Sequence, residues 1–446
     1  MCARKPRLRP KAKSLPQAMR EFLTPAVFKQ VRKAASRRKR PRWDIHPLLY
    51  VLLLSTWCVG DSLPEKFEVA RGFYVVCCPK RKRPGKSFAG FEKALAKLPM
   101  PVLRTLGAAL RNRILTVFDQ RLFCHGFIPL GCDGTQLECP RSAELERRLG
   151  TSGKEGSAPR IWNTSIVHLT LGIPWSWRLG RGGKASERTH LMQMISWLPK
   201  LTLLVTGAGY VGYDLMRRLL EANIQILMRM SSNALFYTEQ EIRLDRFREG
   251  IVYYWPDVIR KQALPPLRGR LIRITSRKRK HDVWLFTNVE DRRRLPLDVA
   301  SQFYRWRWEN EGFFRTYKRT LKKFTLSSRT LRQAHREAEG SMLAAQLLFC
   351  QGALAMVAPR TENETPVMCS PRKVLLEIRR AIDGRQPPLD FGRRLVRAQR
   401  ERRARRVSKE KRIWPRRKKH KPPNPPRMLK LTEELKSHIQ HDLNAA

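Results

Sequence analysis

Four side chains of different chemistry follow one another at fixed intervals in the segment 304–318. Tyr304 is followed by Arg307, then by Glu311 and Lys318. On one uninterrupted α-helix these positions fall within an arc of about 60°. A phenol, a guanidinium, a carboxylate and an ammonium would then line a single strip. A charged strip on a helix is often only a solvated face, so geometry alone leaves that interpretation open.

The apolar residues of the same segment indicate how such a helix would be held. They form an adjoining stripe, which is the pattern of a helix that packs one side into a core. This stripe consists of Phe303, Trp306, Phe313, Tyr317, Leu321 and Phe324. The charged strip would be left facing something other than the core.

The spacing Y-x2-R-x3-E-x6-K of the four residues resembles the signature of bacterial DDE transposases of the insertion-sequence-four family, at all four positions. The resemblance implies that Glu311 is the third metal-binding carboxylate of a ribonuclease-H-like core. It implies that Tyr304, Arg307 and Lys318 hold the phosphates of a transposon end. It also implies Mg²⁺ or Mn²⁺ as cofactor, double-stranded DNA (inverted-repeat ends and target) as partner, and a homodimer that synapses two ends.

The first acid of such a site is expected at Asp133. Enzymes of this class share two divalent ions about 4 Å apart among their carboxylates, and hard oxygen ligands suit Mg²⁺. The run Cys132-Asp133-Gly134-Thr135 follows a short apolar strand and resembles the DGT segment of the family, which implies that Asp133 is catalytic and a metal ligand. Asp-Gly is also the commonest hairpin turn pair, and this is the alternative interpretation.

The second acid is missing from its expected place. After the predicted strand Leu201–Thr206 the family has an aspartate, whereas this chain has Gly207. Asp214 lies seven residues further on and would have to reach back several ångströms, so we do not expect it to serve. Since loss of one carboxylate weakens the hold on an ion, the sequence predicts a protein that binds DNA but cleaves it poorly or not at all.

The same segment formally matches a dinucleotide-binding pattern. Gly207, Gly209 and Gly212 fulfil the spacing G-x-G-x-x-G after a strand. The acidic residue that would bind a ribose about 20 residues later is absent, and Arg229 stands there instead. An altered acid loop is therefore the better interpretation.

The composition independently predicts a polyanionic partner. The 446 residues include 91 Lys and Arg against 38 Asp and Glu, a net charge of +53. A field of this size favours nucleic acid. Charge does not separate DNA from RNA, so an inactive DNA-binding relic and, more remotely, a basic RNA-binding protein remain as alternatives to an active transposase.

The order of predicted elements favours an α/β fold. We expect a ribonuclease-H-like catalytic core over residues 119–360, with a β-strand insertion at about 231–289. A basic arm (1–45) and a helical, basic DNA-binding domain (46–118) precede it, and a basic, partly disordered tail (361–446) follows. The predicted elements are the helix Leu15–Ser36, the strands Phe127–Leu130, Ile166–Leu171, Trp175–Leu179, Leu201–Thr206 and Ile224–Met228, the helices Lys184–Leu198, Tyr213–Ala222 and Leu331–Met356, and the insertion strands Gly250–Trp255 and Gly269–Thr275.

Other classes of protein fit less well. The apolar run His46–Val59 is too short for a hydrocarbon layer about 30 Å thick, and the basic amino terminus lacks the apolar segment of a secretory signal. Nine cysteines show no paired framework, which favours reduced thiols in a cytoplasmic, nucleoid-associated protein. A zinc site built from Cys124, His125, Cys132 and Cys139 is disfavoured because no C-x2-C pair is present.

Overall fold

The computed structural model describes residues 12–35, 43–150, 156–182, 186–275, 282–356, 367–401 and 424–437. Within these ranges the α-helices are α1 Leu15–Arg20, α2 Pro25–Ala34, α3 Ile45–Trp57, α4 Leu63–Cys77, α5 Phe88–Lys97, α6 Met100–Phe118, α7 Ala143–Leu149, α8 Glu187–Met192, α9 Tyr213–Glu221, α10 Asp257–Lys261, α11 Leu297–Trp306, α12 Glu309–Arg315, α13 Leu331–Ala355, α14 Pro371–Ile382 and α15 Phe391–Leu395. No helix in the described part is long and apolar enough to span a bilayer.

The strands alternate with these helices, so the protein is mixed α/β. They are β1 Ile128–Glu138, β2 Arg160–His168, β3 Pro174–Arg181, β4 Thr202–Thr206, β5 Gln225–Arg229, β6 Leu235–Thr238, β7 Glu249–Tyr254, β8 Leu267–Ile274, β9 Val283–Thr287 and β10 Arg427–Lys430. Contacts divide the chain into a first unit (1–124, 134–186 and 309–400) and a second unit (125–133, 187–308 and 401–446).

The first unit is mainly helical and is organised around the buried helix α13. Thr330 caps its amino end by accepting the Gln333 N–H. A Cβ added at Gly340 would lie 2.7 Å from the Leu52 side chain of α3, so these two helices approach closely because residue 340 is glycine. The antiparallel pair β2 and β3 completes this unit and contacts α13.

The second unit is a sheet with the strand order β10-β6-β7-β8-β9-β5-β4-β1. Strands β1, β4 and β5 are mutually parallel. Strands β6 to β9 continue the sheet in antiparallel fashion from β5. These four strands lie within residues 231–289, the range of the predicted β-strand insertion.

Several predicted elements are confirmed within one or two residues. The strand Leu201–Thr206 is β4, the helix Tyr213–Ala222 is α9, and Leu331–Met356 is α13. The run His46–Val59 is α3, and its helical residues are mostly buried. Trp255 and Trp284 are core residues with 4% and 6% exposure.

Other predictions are wrong in extent. The predicted helix Leu15–Ser36 is two helices, because Thr24 caps a new helix that has Pro25 at its first position. In its described part, residues 186–198, the predicted helix Lys184–Leu198 contains the short α8 and then a 3₁₀ turn at Ile195–Trp197. The basic loop 276–281 and the tail segment 414–420 lie outside the described residues.

Candidate active site

Asp133 and Gly207 hold matching places on neighbouring parallel strands of the second unit. The β1 residue Gly131 pairs with the β4 residue Val205, and each of the two positions follows its paired residue by two. Carboxyl ends of parallel strands meet at one edge of a sheet, where ligands usually bind. Since β1 runs on to Glu138, Asp133 and Gly134 lie within a strand, and the hairpin-turn interpretation is wrong.

Gly207 has room for a side chain. Its φ of −81° and ψ of 175° are extended values that any residue adopts. An added Cβ would find only the Arg307 Nη1 atom within 4 Å, at 4.0 Å. Neither the backbone conformation nor crowding therefore prevents residue 207 from carrying a carboxylate side chain.

The Arg307 guanidinium lies beside both positions. Its Nη1 is 4.0 Å from the Asp133 Oδ2, with the arginine side chain 13% exposed and the aspartate 28%. The guanidinium also lies over the rings of Trp308 and Tyr304, at 5.0 and 5.7 Å from their centroids. Its buried Nε makes no hydrogen bond among the described residues. One cation, held by two aromatic rings, thus neutralises the first acid.

A second carboxylate, Glu187, lies near Asp133. The Tyr210 hydroxyl donates a hydrogen bond to Glu187 and accepts one from the Cys132 thiol at 3.5 Å. Burial raises the pKa of the Glu187 carboxyl, the Tyr210 bond opposes this, and the negative charge of Asp133 raises the pKa further. Sequence reasoning missed Glu187 because its place beside Asp133 depends on the fold and on no motif.

The predicted signature helix is not continuous. Helix α11 ends at Trp306, a turn occupies Arg307 and Trp308, and α12 begins at Glu309. A π-helical turn then covers Thr316–Thr320. Because each irregularity shifts the angular phase of later residues, the spacing of the four signature residues does not produce the single arc that a regular helix would give.

The signature residues are therefore divided between the two units. Tyr304 and Arg307 accompany Asp133 in the second unit, whereas Glu311 and Lys318 belong to the first. Glu311 is exposed. Lys318 is partly buried, burial lowers the pKa of its ammonium, and its Nζ lies 5.4 Å from the centroid of the Phe324 ring.

Asp133 and Glu311, the expected metal ligands, both lie in the described ranges. The described residues contain no group of three or more His, Cys, Asp or Glu side chains close enough to hold an ion. Asp214 is exposed on the first turn of α9. The guanidinium of Arg307 lies 4.0 Å from an oxygen of the first acid.

Comparison with known proteins identifies the central part of the chain. Residues 132–347 match the family model of the transposase DDE domain. This region is similar to a DDE transposase. The DDE-like region begins one residue before Asp133 and contains Gly207, Glu311 and α12.

The other comparisons add less. No curated protein matches the chain. Among solved structures, the chain is similar to the piggyBac transposase in a synaptic complex with hairpin DNA, with 11% identity and a TM-score of 0.42. The similarity covers 85% of this chain and 81% of that one.

Proposed function

We propose that this chain is a transposase of the insertion-sequence-four family that binds the ends of its element and cleaves DNA poorly or not at all. The match to the DDE domain and the four signature positions support the family. The parallel strands β1, β4 and β5 beside the insertion support a ribonuclease-H-like core. In this proposal Asp133 and Glu311 are the remaining acids, and double-stranded DNA and a second copy of the chain are the partners.

The observation that carries the proposal is the pair Asp133 and Gly207. The position level with the first acid has space and an ordinary backbone conformation, yet it carries no carboxylate. Arg307 places a positive charge beside the acid that remains. Two-metal phosphoryl transfer needs concentrated negative charge at this point, which this arrangement lacks.

Tyr304, Arg307 and Lys318 are the proposed phosphate-binding residues. Guanidinium groups suit phosphate because several N–H donors lie in one plane. The Arg307 side chain is 13% exposed, so part of it can be reached from solvent. The buried Tyr304 supports the guanidinium from one side.

The test is nicking of supercoiled plasmid by the purified full chain, with Mg²⁺ or Mn²⁺. The chain as written is compared with Gly207→Asp and with Gly207→Asp/Glu311→Gln. We expect little or no nicking by the first, recovery of nicking in the second, and loss again in the third. The proposal of impaired cleavage would be contradicted if the chain as written nicks DNA as strongly as the Gly207→Asp variant and this nicking depends on Glu311.

An active enzyme is the second candidate, and Glu187 favours it. This carboxylate is held by Tyr210 and feels the charge of Asp133, so a second acid does lie near the first. If the chain as written nicks DNA and Glu187→Gln removes the activity while Asp214→Asn does not, Glu187 supplies what Gly207 lacks. Nicking that survives Glu187→Gln would exclude Glu187 as the substitute for the missing acid, and absence of nicking by the chain as written would exclude this candidate.

A further inference from the structure

An open cleft lies in the first unit, lined by residues of α5, α6, α7 and α13. Its volume is about 660 Å³, and its lining is rich in basic side chains. Four of these basic side chains are Lys97, Arg104, Arg148 and Arg332. None of them belongs to the signature or to the acids discussed above.

The four cations are exposed, and none forms an ion pair or a side-chain hydrogen bond in the part of the chain that the structure describes. Two acids also line the cleft, but both are engaged. Glu144 Oε1 accepts the backbone N–H of Leu331 at 3.2 Å. The buried Glu339 accepts the Trp177 indole N–H at 2.6 Å. These two carboxylates offset part of the charge, and Glu339 interacts with Arg104. The lining still carries more cations than anions, since Arg336 also belongs to it.

The effect of this charge is visible on a neighbouring side chain. Burial lowers the pKa of the His335 imidazole in the cleft, and the positive charges of Arg104 and Arg336 lower it further. Several positive charges thus lie close together at this site and repel one another. A bound anion would relieve that repulsion.

Helix ends add to the positive potential. Helix α6 begins at Met100 in the cleft lining, and no side chain caps its amino end. Helix α13 begins at Leu331, where the Glu144 carboxylate already accepts an N–H. Amino ends of helices favour anionic oxygen atoms, and the carboxylate at Leu331 is a direct example.

We propose that this cleft binds phosphates of the duplex DNA backbone. The inference rests on the proposed function, which makes DNA the partner, and adds a second contact surface away from the acids. Sites for small molecules are usually enclosed and mostly apolar, whereas this cleft is open and its cations are solvated. Such a surface suits a long polyanion, which is held by several exposed charges at once.

Arg148 and Arg147 offer a matched test on one helix. Both are exposed on α7, but only Arg148 lines the cleft. Binding of the full chain to a fluorescent duplex is measured by anisotropy at several salt concentrations. We expect Arg148→Ala and Arg332→Ala each to weaken binding about fivefold at low salt and to reduce the slope of log K against log salt by about one. Arg147→Ala should change neither quantity.

A second arm distinguishes DNA from free phosphate as the ligand. Thermal shifts with inorganic tripolyphosphate are compared for the chain as written and for Arg148→Ala. If tripolyphosphate stabilises only the chain with Arg148 while DNA affinity is equal in both, the cleft binds small anions and the proposal is overturned. Equal DNA binding by the Arg148→Ala and Arg147→Ala variants overturns it as well.

These outcomes are separate from those of the proposed function. Duplex binding does not require cleavage, so the nicking assay can fail while the cleft is confirmed. Conversely, Gly207→Asp can recover nicking while Arg148→Ala leaves DNA affinity unchanged, which would reject the cleft alone. A chain that binds no duplex at all would reject both.

Discussion

At the scale of single residues, the hydroxyl of Tyr210 connects two groups of the candidate site. It donates to the Glu187 carboxylate and accepts from the Cys132 thiol. Cys132 immediately precedes Asp133 in β1. The tyrosine therefore fixes the distance between α8 and the strand that carries the first acid.

Removal of this hydroxyl is predicted to destabilise the protein. Tyr210→Phe leaves a partly buried carboxylate without its donor, which costs about 1–2 kcal/mol, and it should raise the pKa of Glu187 further. The measurement is the free energy of unfolding in denaturant. Tyr254→Phe is the control. Tyr254 is also buried, and its hydroxyl makes no hydrogen bond among the described residues. An equal loss in both variants would contradict the prediction.

Residue-level prediction from the sequence succeeds where a motif is local. Gly207 is recognisable because the strand before it and the Gly-Tyr after it are contiguous. Glu187 is not recognisable, because its hydrogen bond with Tyr210 joins residues that are 23 positions apart and that no motif connects. The pairing of Arg307 with Asp133 is equally non-local.

At the scale of elements, the segment after α12 is held by its own buried contacts. The Tyr317 hydroxyl in the π-helical turn is hydrogen-bonded to Ser341 of α13 at 2.6 Å. Lys323 Nζ pairs with the Glu337 carboxylate at 2.7 Å, and Glu337 Oε2 also accepts the backbone N–H groups of Ser327 and Ser328. These contacts join the segment after α12 to helix α13.

The Glu337 network predicts a specific acid sensitivity. Burial acts to raise the pKa of Glu337, but Lys323 and the two backbone N–H groups outweigh it, so the pKa lies below its ordinary value. A carboxyl with a lowered pKa stabilises the fold above its unfolded pKa, and this stability is lost as pH falls through the folded value. Glu337→Gln should cost about 3 kcal/mol at neutral pH, and the difference should shrink in acid.

The melting temperature measured from neutral to acidic pH checks this prediction. Glu433→Gln, at the exposed ion pair with Lys436, is the control and should leave the melting temperature unchanged at every pH. A Glu337→Gln variant that melts at the same temperature as the unchanged chain at neutral pH would show that the network is not stabilising.

Element boundaries were predictable where hydrophobic periodicity is strong. Helix α13 and strand β4 are long or uniformly apolar, and their ends match the prediction closely. The signature segment was not predictable in detail, since Arg307 and Tyr317, which lie at its two irregularities, contact residues distant in the sequence. Local propensity does not encode such contacts.

At the scale of the whole molecule, the net charge of +53 governs association with polyanions. Binding to phosphates releases condensed counterions, so the association constant falls steeply with salt. Part of this charge lies in ranges outside the described residues, such as 402–423. The net charge therefore predicts the strength of binding to polyanions more than the position of any one contact.

The whole-molecule prediction is a steep salt dependence of DNA binding without strong sequence preference at low salt. Between about 50 and 200 mM salt we expect affinity for random duplex to fall by about a thousandfold or more. The measurement is anisotropy with random duplex, inverted-repeat duplex and structured RNA. Preference for structured RNA over every duplex at all salt concentrations would favour the RNA-binding alternative.

Strand β10 bears on the order in which the chain acquires its structure. Its residues 427–430 pair in parallel with β6, and Leu431 just beyond it is buried with Leu235 and Trp255. During synthesis on the ribosome, β6 emerges nearly 200 residues before its partner. Until then its hydrogen-bonding edge is open to neighbouring nascent chains. Residues 427–431 thus complete this edge of the sheet late in synthesis. A chain truncated before Arg427 should therefore aggregate.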